Sequence, residues 1–447
     1  MPSCRNAERL WITAGLLIVA GLLVATPIHA VVVGSSEPAQ SITRIRIEAL
    51  PPAQRQVWLD YLQRSEGQVA ADRAALASER KGLAAIPPLP KESGNARTIP
   101  LNRDPAWYAT PEARHIGDVI LSFQTPAGGW SKNLDMATTP RLPGQSYTTD
   151  NLSKHLGPDD FDAPRDPNWN YIGTLDNDAT TTQIQFLARF IAHTPDAEDA
   201  PYRAGLLRGI EYLLAAQFPN GGWPQVWPLE GGYHDAITFN DNAVTKAAEV
   251  LNEVVESRPG YTFVPAGIRS RAISAFAKAL DCILATQIKI DGRPTVWAQQ
   301  HDALTLAPVA GRNFEPAALA SGESADLLVY LMSLPHPSAA IKASVAAGVA
   351  WLKGAAIYGF DWSDGRTTEG GRHLSPKPGA GPIWARYYCI ATGKPIFGDR
   401  DKTIHDNVNE LSLERRNGYA WYSSGPQQAL DAYAGWAKKN GAIPLRH

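Results

Sequence analysis

Cysteine is scarce in this 447-residue chain, with only Cys4, Cys282 and Cys389, which excludes a disulfide-stapled scaffold. Cys282 and Cys389 each sit in apolar, helical surroundings and are expected as buried free thiols. An excess of charge of either sign is lacking too: 42 Lys and Arg stand against 44 Asp and Glu, a formal net charge of −2. No global field draws such a chain to nucleic acid or to an anionic membrane, so an anionic ligand has to be met by a local group of Arg and Lys. Alternating β-branched residues are nearly absent, and sheet content is expected to be small. The chain also lacks a Gly-rich phosphate loop, a Cys/His zinc spacing and a Gly-x-Ser-x-Gly elbow, the marks of three common enzyme classes.

One long apolar run is present. It spans Leu10 to Ala25, follows Arg5 and Arg9, and is succeeded by Pro27 to Ala30. Residues 1–30 therefore read as a signal peptide, with a retained membrane anchor as the competing reading because Ile28 is bulky for a cleavage site. Either way the rest of the chain acts outside the cytoplasm, secreted or periplasmic, and after cleavage it has no membrane attachment. With 44% hydrophobic and 19% charged residues it has enough chain to bury a large core, and a monomer is expected. Residues 31–95 read as a helical N-terminal extension, patterned from Ser41 to Lys81, ending in a linker at Pro87, Pro88 and Pro90. They are expected to be peripheral to the chemistry. Residues 96–447 form the main unit.

That unit repeats one sentence. Ile120 to Gln124 leads to Pro126 and Gly128-Gly129-Trp130, and Leu213 to Gln217 leads to Pro219 and Gly221-Gly222-Trp223. A weaker copy runs from Ile283 to Gln287 and on to Asp291-Gly292 and Trp297. In each, an amphipathic helix ends, glycines allow a tight reversal, and a Trp covers the turn. The helices show a 3.6-residue period: Leu206, Ile210, Leu213 and Leu214 share a face, as do Ile273, Phe276, Leu280, Ile283 and Leu284. Successive helical hairpins with long loops imply an all-α barrel or toroid with little sheet. The Trp turns brace helices in the simplest reading, while the loops behind them all open at one end of the barrel.

Those loops hold the chemistry-bearing residues. Asp176, Asn177 and Asp178 precede one helix; His234, Asp235, Asn240 and Asp241 precede another, Ala243 to Val255. Short oxygen-bearing side chains before a helix are ordinary N-caps. They also form a donor set for a hard cation, although the spacing is not that of an EF-hand. Arg312 lies in a Pro-bounded turn before the helix of Glu323 to Met332, where it faces an anion or makes a surface ion pair. His301 with Asp302 reads either as a proton relay or as a satisfied loop histidine. Lys132, Arg386, Arg400 and the Arg415 to Tyr422 stretch, which includes Tyr419, combine guanidinium forks with aromatic faces and suit a groove for a polyanionic sugar.

Taken in order, seven motifs resemble the pectate lyases of polysaccharide lyase family 10, over roughly Asn95 to Lys439. They are GGWSKN at Gly128 to Asn133, TLDNDATTTQI at Thr174 to Ile184, QFPNGGWPQVWP at Gln217 to Pro228, HDAITFNDNAV at His234 to Val244, WAQQHDALTLAP at Trp297 to Pro308, GRNFEP at Gly311 to Pro316, and RRNGYAWY at Arg415 to Tyr422. The resemblance implies an (α/α)3 toroid over 96–447 that cleaves polygalacturonate by calcium-assisted β-elimination. It implies Arg312 as the base that takes the C5 proton. Asp176, Asn177 and Asp241 would bind Ca2+ and the substrate carboxylate, with Asp176 also counted in the catalytic set. Lys132, Asn177, Asn240, Arg386, Arg400 and Tyr419 would bind substrate, with Asp235 a less favoured candidate. An Arg base is expected to need a dry or strongly electropositive setting, because its reference pKa is about 12.5. Two other readings stand beside this one: an inverting glycosidase using Asp176 and Asp241 as its carboxylate pair, and a non-catalytic uronate-binding barrel.

Overall fold

The computed structural model describes residues 32–93, 98–154, 156–157, 159–194, 199–366 and 369–442. The expected signal peptide over 1–30 lies outside the described residues. The helices in chain order are α1 (Arg44–Glu48), α2 (Pro52–Arg80), α3 (Pro111–Ser122), α4 (Thr181–Ile191), α5 (Ala200–Ala216), α6 (Ala243–Val255), α7 (Ala266–Thr286), α8 (Ser321–Ser333), α9 (Ala339–Ala355), α10 (Leu413–Gly418) and α11 (Gln427–Asn440). Three hairpins, α4/α5, α6/α7 and α8/α9, make the (α/α)3 toroid expected from sequence. Helices α3, α5, α7 and α9 neighbour one another in an outer row, α4 packs on α6 inside, and α11 packs against α8 and α9.

Each outer helix ends in the same device. The indole N–H of Trp130 donates to the Ile120 carbonyl (2.7 Å), that of Trp223 to Leu213 (2.8 Å) and that of Trp297 to Ile283 (2.7 Å). These carbonyls belong to the last turn of a helix, where backbone partners run out; the indole is a second donor to Ile120 and Leu213, which also accept from the Phe123 and Gln217 N–H groups. The preceding Gln ties the turn to the next outer helix: Gln124 donates to the Gly205 carbonyl, Gln217 to Ala275 and Gln287 to Ser344. A Cβ on Gly221 would stand 2.1 Å from the Lys278 carbonyl oxygen, so only glycine lets the turn approach that closely. The Trp rings are completely buried; they brace helices and offer no sugar platform. Sequence reading missed a fourth copy. Trp384 donates to the Leu352 carbonyl at 2.7 Å at the end of α9, but a hairpin (Phe360–Trp362 with Leu374–Pro376) separates it from its helix.

The buried face of α7 also differs from the expected one. It is formed by Ala272, Ala275, Ala279, Cys282 and Ile283, whereas Ile273 is 51% exposed. Small side chains allow the close packing of α7 on α6, and this moves the core face by one residue from the larger apolar side chains. Cys282 and Cys389 are buried and neither forms a disulfide, as expected, but Cys389 directly follows the strand Tyr387–Tyr388 rather than lying in a helix. Sheets are short and antiparallel. One of three strands pairs Ile237–Thr238 with Gln300–His301 and the latter with Pro308–Val309, tying the loop before α6 to the loop before α8.

The N-terminal helices do not hang free. Trp58, Tyr61, Leu62 and Ser65 form the i, i+3, i+4, i+7 face of α2, and Trp58 and Tyr61 pack on Phe218 just past α5. Ile42, Ile47, Trp58 and Tyr61 belong to the same hydrophobic core as the toroid helices.

Candidate active site

The two Asp/Asn loops become single 3-10 turns, Asp176–Asp178 before α4 and Asn240–Asn242 before α6, and they pack on each other. Neither turn caps its helix through a side chain, so the simple capping reading fails. Instead Asn177, Asp178, Thr180, Asp241 and Asn242 all hold positive φ, between 49° and 65°. Such backbone is costly for residues with a Cβ, and it persists where surrounding structure enforces it, commonly at functional sites. The conformation turns Asp176 and Asp241 toward each other.

These two carboxyls share a hydrogen bond, so one of them keeps its proton. Burial opposes ionisation of Asp176, but the Lys132 ammonium and the hydrogen bond from Asp241 outweigh it and hold the Asp176 carboxyl well below the usual range. Burial and the Asp176 charge push Asp241 strongly up. Lys132 Nζ lies 2.5 Å from Asp176 Oδ2 and 3.5 Å from the centre of the Tyr171 ring. Gln225 donates to Asp176 Oδ1 at 3.0 Å, and Asn177 donates to Asn133 Oδ1 at 3.0 Å.

Across the same cavity, of about 290 Å³, stands Arg312. Its Nη2 and Nε donate to Glu315 Oε1 at 2.6 and 3.0 Å, and its own backbone N–H donates to Glu315 Oε2 at 2.9 Å. The Arg312 side chain is 37% exposed, open to the cavity, while that of Glu315 is only 4% exposed. Burial works against the guanidinium charge, but the Glu315 carboxylate and its hydrogen bonds overcome this and raise Arg312 far above its ordinary value. Burial likewise opposes the Glu315 charge, and Arg312 nevertheless holds the carboxyl at about 2. The expected electropositive setting for Arg312 is therefore not what this form of the protein has: the residue touching its guanidinium is a carboxylate.

Lys132, Asp176, Asn177, Asn240, Asp241 and Arg312 all line this one cavity. Four other expected residues do not. Asp235 is the clearest correction: its carboxylate is buried behind the wall, accepting from the Ile42 N–H (3.0 Å) and the Gly231 N–H (2.7 Å). Burial lifts it to about 6. It is held there by the N-terminal segment and cannot touch a sugar in the cavity. Tyr419 is buried too, donating to Glu315 Oε1 at 2.7 Å, with its hydroxyl 2.7 Å from that of Tyr387; it supports the Arg312 pair from behind. Arg386 is ion-paired to Glu323 at 2.6 Å and reaches Asn240 Oδ1 at 3.3 Å. Arg400 pairs with Glu414 at 2.8 Å. His301 is a satisfied loop histidine, with Nδ1 2.9 Å from the Leu306 carbonyl and Nε2 accepting from the Ala298 N–H. Asp302 pairs with Arg46 at 2.5 Å.

Sequence reading passed over several lining residues. Glu315 stands three places after Arg312, the spacing at which a turn closes on itself, and that signal was available. Gln225 follows the second Trp turn directly. Asp162, Tyr171 and Tyr233 also line the cavity, but nothing local marks them: Asp162 lies in the loop that Asn313 holds by accepting from the Phe161 N–H (2.9 Å) and donating to Asp160.

Among the described residues no three His, Cys, Asp or Glu side chains converge as a metal cluster. The donor set at Asp176 and Asp241 still fits a hard cation. It offers two carboxylates forced to share a proton and amide groups from Asn177 and Gln225, and the Gln225 Oε1 is buried with no hydrogen-bond partner. Calcium takes such mixed carboxylate and amide oxygens.

Residues 124–430 match the family model described as pectic acid lyase. No curated protein matches the chain. Among solved structures, a family 10 polysaccharide lyase from Cellvibrio cellulosa shares 29% identity with a TM-score of 0.62, covering 79% of this chain and 99% of that one. An Asp-to-Ala mutant of the Cellvibrio cellulosa family 10 lyase, solved in complex with trigalacturonic acid, shares 30% identity at the same TM-score, covering 77% of this chain and 98% of that one. The chain thus belongs to the pectic acid lyase family, as a polysaccharide lyase of family 10.

Proposed function

We propose that this chain cleaves polygalacturonate by β-elimination, with Arg312 taking the C5 proton of a galacturonate unit and with calcium required. The observation behind the reading is the placement of Arg312 across one cavity from the Asp176 and Asp241 carboxyls. The trigalacturonic acid complex of the similar lyase supports the substrate class. In the reaction the C5–H bond breaks, a C4=C5 double bond forms and the C4–O4 bond breaks. The C5 proton ends on Arg312, and the departing oxygen takes its proton from water. Asp176, Asn177 and Asp241 are the proposed holders of calcium, which when bound neutralises a substrate carboxylate and acidifies the adjacent C–H. Lys132 adds an ammonium on the same side, and Asn177 and Asn240 supply hydrogen bonds to the sugar. Arg386 and Arg400 are proposed to meet further substrate carboxylates at the rim. The chain is proposed to act outside the cytoplasm as a monomer, after loss of residues 1–30. Residues 31–95 are proposed as an accessory segment to a catalytic unit over 96–447.

The inverting glycosidase reading meets a geometric obstacle. Inverting enzymes hold their carboxyls about 6.5–9.5 Å apart to admit a water, whereas Asp176 and Asp241 are hydrogen-bonded. Ultraviolet absorbance of polygalacturonate incubated with the enzyme tests the proposal directly. Growth of the conjugated product, lost on adding chelator and lost in Arg312→Ala, is the expected result. New reducing ends without absorbance would overturn elimination.

A further inference from the structure

We propose that Glu315 is a positioning residue that sets the pH at which Arg312 gives up its proton, and so fixes the alkaline threshold of the elimination. The inference rests on Arg312 being the base. Its geometry is local and rigid. The Gly311 N–H donates to the Glu315 carbonyl at 3.0 Å and the Glu315 N–H to the Arg312 carbonyl at 2.8 Å, so the turn closes on itself. A Cβ on Gly311 would stand 2.6 Å from Glu315 Oε2 and 2.6 Å from Gln300 Oε1, so a glycine is what lets the carboxylate lie this close against the turn. Glu315 holds the guanidinium through Nε and Nη2 and the peptide through the Arg312 N–H. Both the orientation of Arg312 and its charge therefore pass through one carboxylate.

Other titratable groups face Arg312 without bonding to it. Tyr419 and Tyr233 stand near it and neutral. Asp162, from the 159–166 loop, and Asp176 add negative charge at longer range. His234, buried and lowered to about 3, adds none. A base has to be the neutral guanidine before it accepts the C5 proton, and a carboxylate in contact stabilises the guanidinium instead. Tyr419, which donates to the same Oε1, partly quenches the carboxylate. The two residues should therefore move the threshold in opposite directions.

The test is kcat against pH on polygalacturonate at saturating calcium. Glu315→Gln keeps the shape and an acceptor oxygen but removes the charge. Its acidic limb is expected to move to lower pH by about one to three units, with KM little changed. Tyr419→Phe should move the limb by a smaller amount to higher pH. Glu315→Asp retains the charge but withdraws it from the guanidinium, and should lose kcat through misplacement. A Glu315→Gln enzyme that melts like wild type and loses activity by the same factor at every pH would overturn the inference, leaving Glu315 as mere packing. Should that variant not fold, an unmoved or acid-shifted limb in Tyr419→Phe does the same. An Arg312→Ala enzyme that keeps its rate would instead sink the base assignment on which the inference rests.

Discussion

Asp176 and Asp241 bring like charges together on one wall of the cavity, while Arg312 and Glu315 bring opposite charges together on the other. The first pair holds a proton between its members and takes further donors from Lys132, Gln225 and Asn240. The second is complete as it stands, with three hydrogen bonds inside one turn. One wall therefore crowds two acids around a single ammonium, and the other holds a closed ion pair. The difference teaches that affinity and reactivity are separated in this site. A cation gains most at the strained pair, whereas the group proposed to react is held back by a partner that must be outweighed.

The largest effect that would break this comparison is on the Arg312 wall. Arg312→Ala is expected to lower kcat by about 10²–10⁴-fold with a much smaller change in KM, read from product absorbance. Retained activity would mean that the closed pair is structural only. On the opposite wall, Asp241→Ala should raise the calcium concentration for half-maximal rate by at least about tenfold, whereas Glu315→Gln should leave that concentration unchanged. A calcium titration of both variants decides whether the walls are distinct.

A subtler effect sharpens the electrostatic side. The Asp241 carboxyl is raised in the folded protein by burial and by Asp176. A raised acid adds stability while it is protonated and loses that contribution as pH climbs through its folded value. Asp176 is held low and stays ionised throughout. In chelator, wild-type stability should therefore fall as pH rises above the ordinary carboxylate range, on the order of 1 kcal/mol per pH unit until Asp241 ionises. Asp241→Asn should flatten that fall, measured by thermal melts across pH, and an equally steep fall in the variant would refute the shared-proton account. The smallest effect on activity is expected from a residue behind both walls. Asp235→Ala leaves the Ile42 and Gly231 N–H groups without their acceptor and should cost about 1–3 kcal/mol of stability, with only a few-fold change in kcat.

Asp235 also shows where sequence reading stops. The helices on both sides of the cavity were legible from period and turn residues: α6 spans Ala243–Val255 as expected, and α4 follows Asp178 as expected. So was the convergence of the loops, because Gln and Trp mark the ends of three outer helices. Asp235 and Asp241 look alike in sequence, two carboxylates ahead of one helix. What separates them is a backbone N–H from Ile42, 193 residues away, and no local pattern encodes such a partner. The same limit hid the buried face of α7, where Ala272 packs and Ile273 does not, and the fourth Trp turn, whose helix and indole are split by an inserted hairpin.

The docking of α2 has a consequence for how the molecule is made. Its apolar face meets Phe218, Tyr61 donates to the Ala216 carbonyl at 2.9 Å, and the Ser65 hydroxyl accepts from the Leu229 N–H at 2.8 Å. All of these partners come from the middle of the chain, so this first long helix has only the short α1 to pack on until far later segments have formed. Contacts of such sequence separation are slow to close. A helix made early is thus completed late, and until then Trp58 and Tyr61 lack their Phe218 partner. The order of synthesis and the order of assembly run in opposite directions at this end of the molecule, and the interval between them is when the chain is most open to proteases and to aggregation.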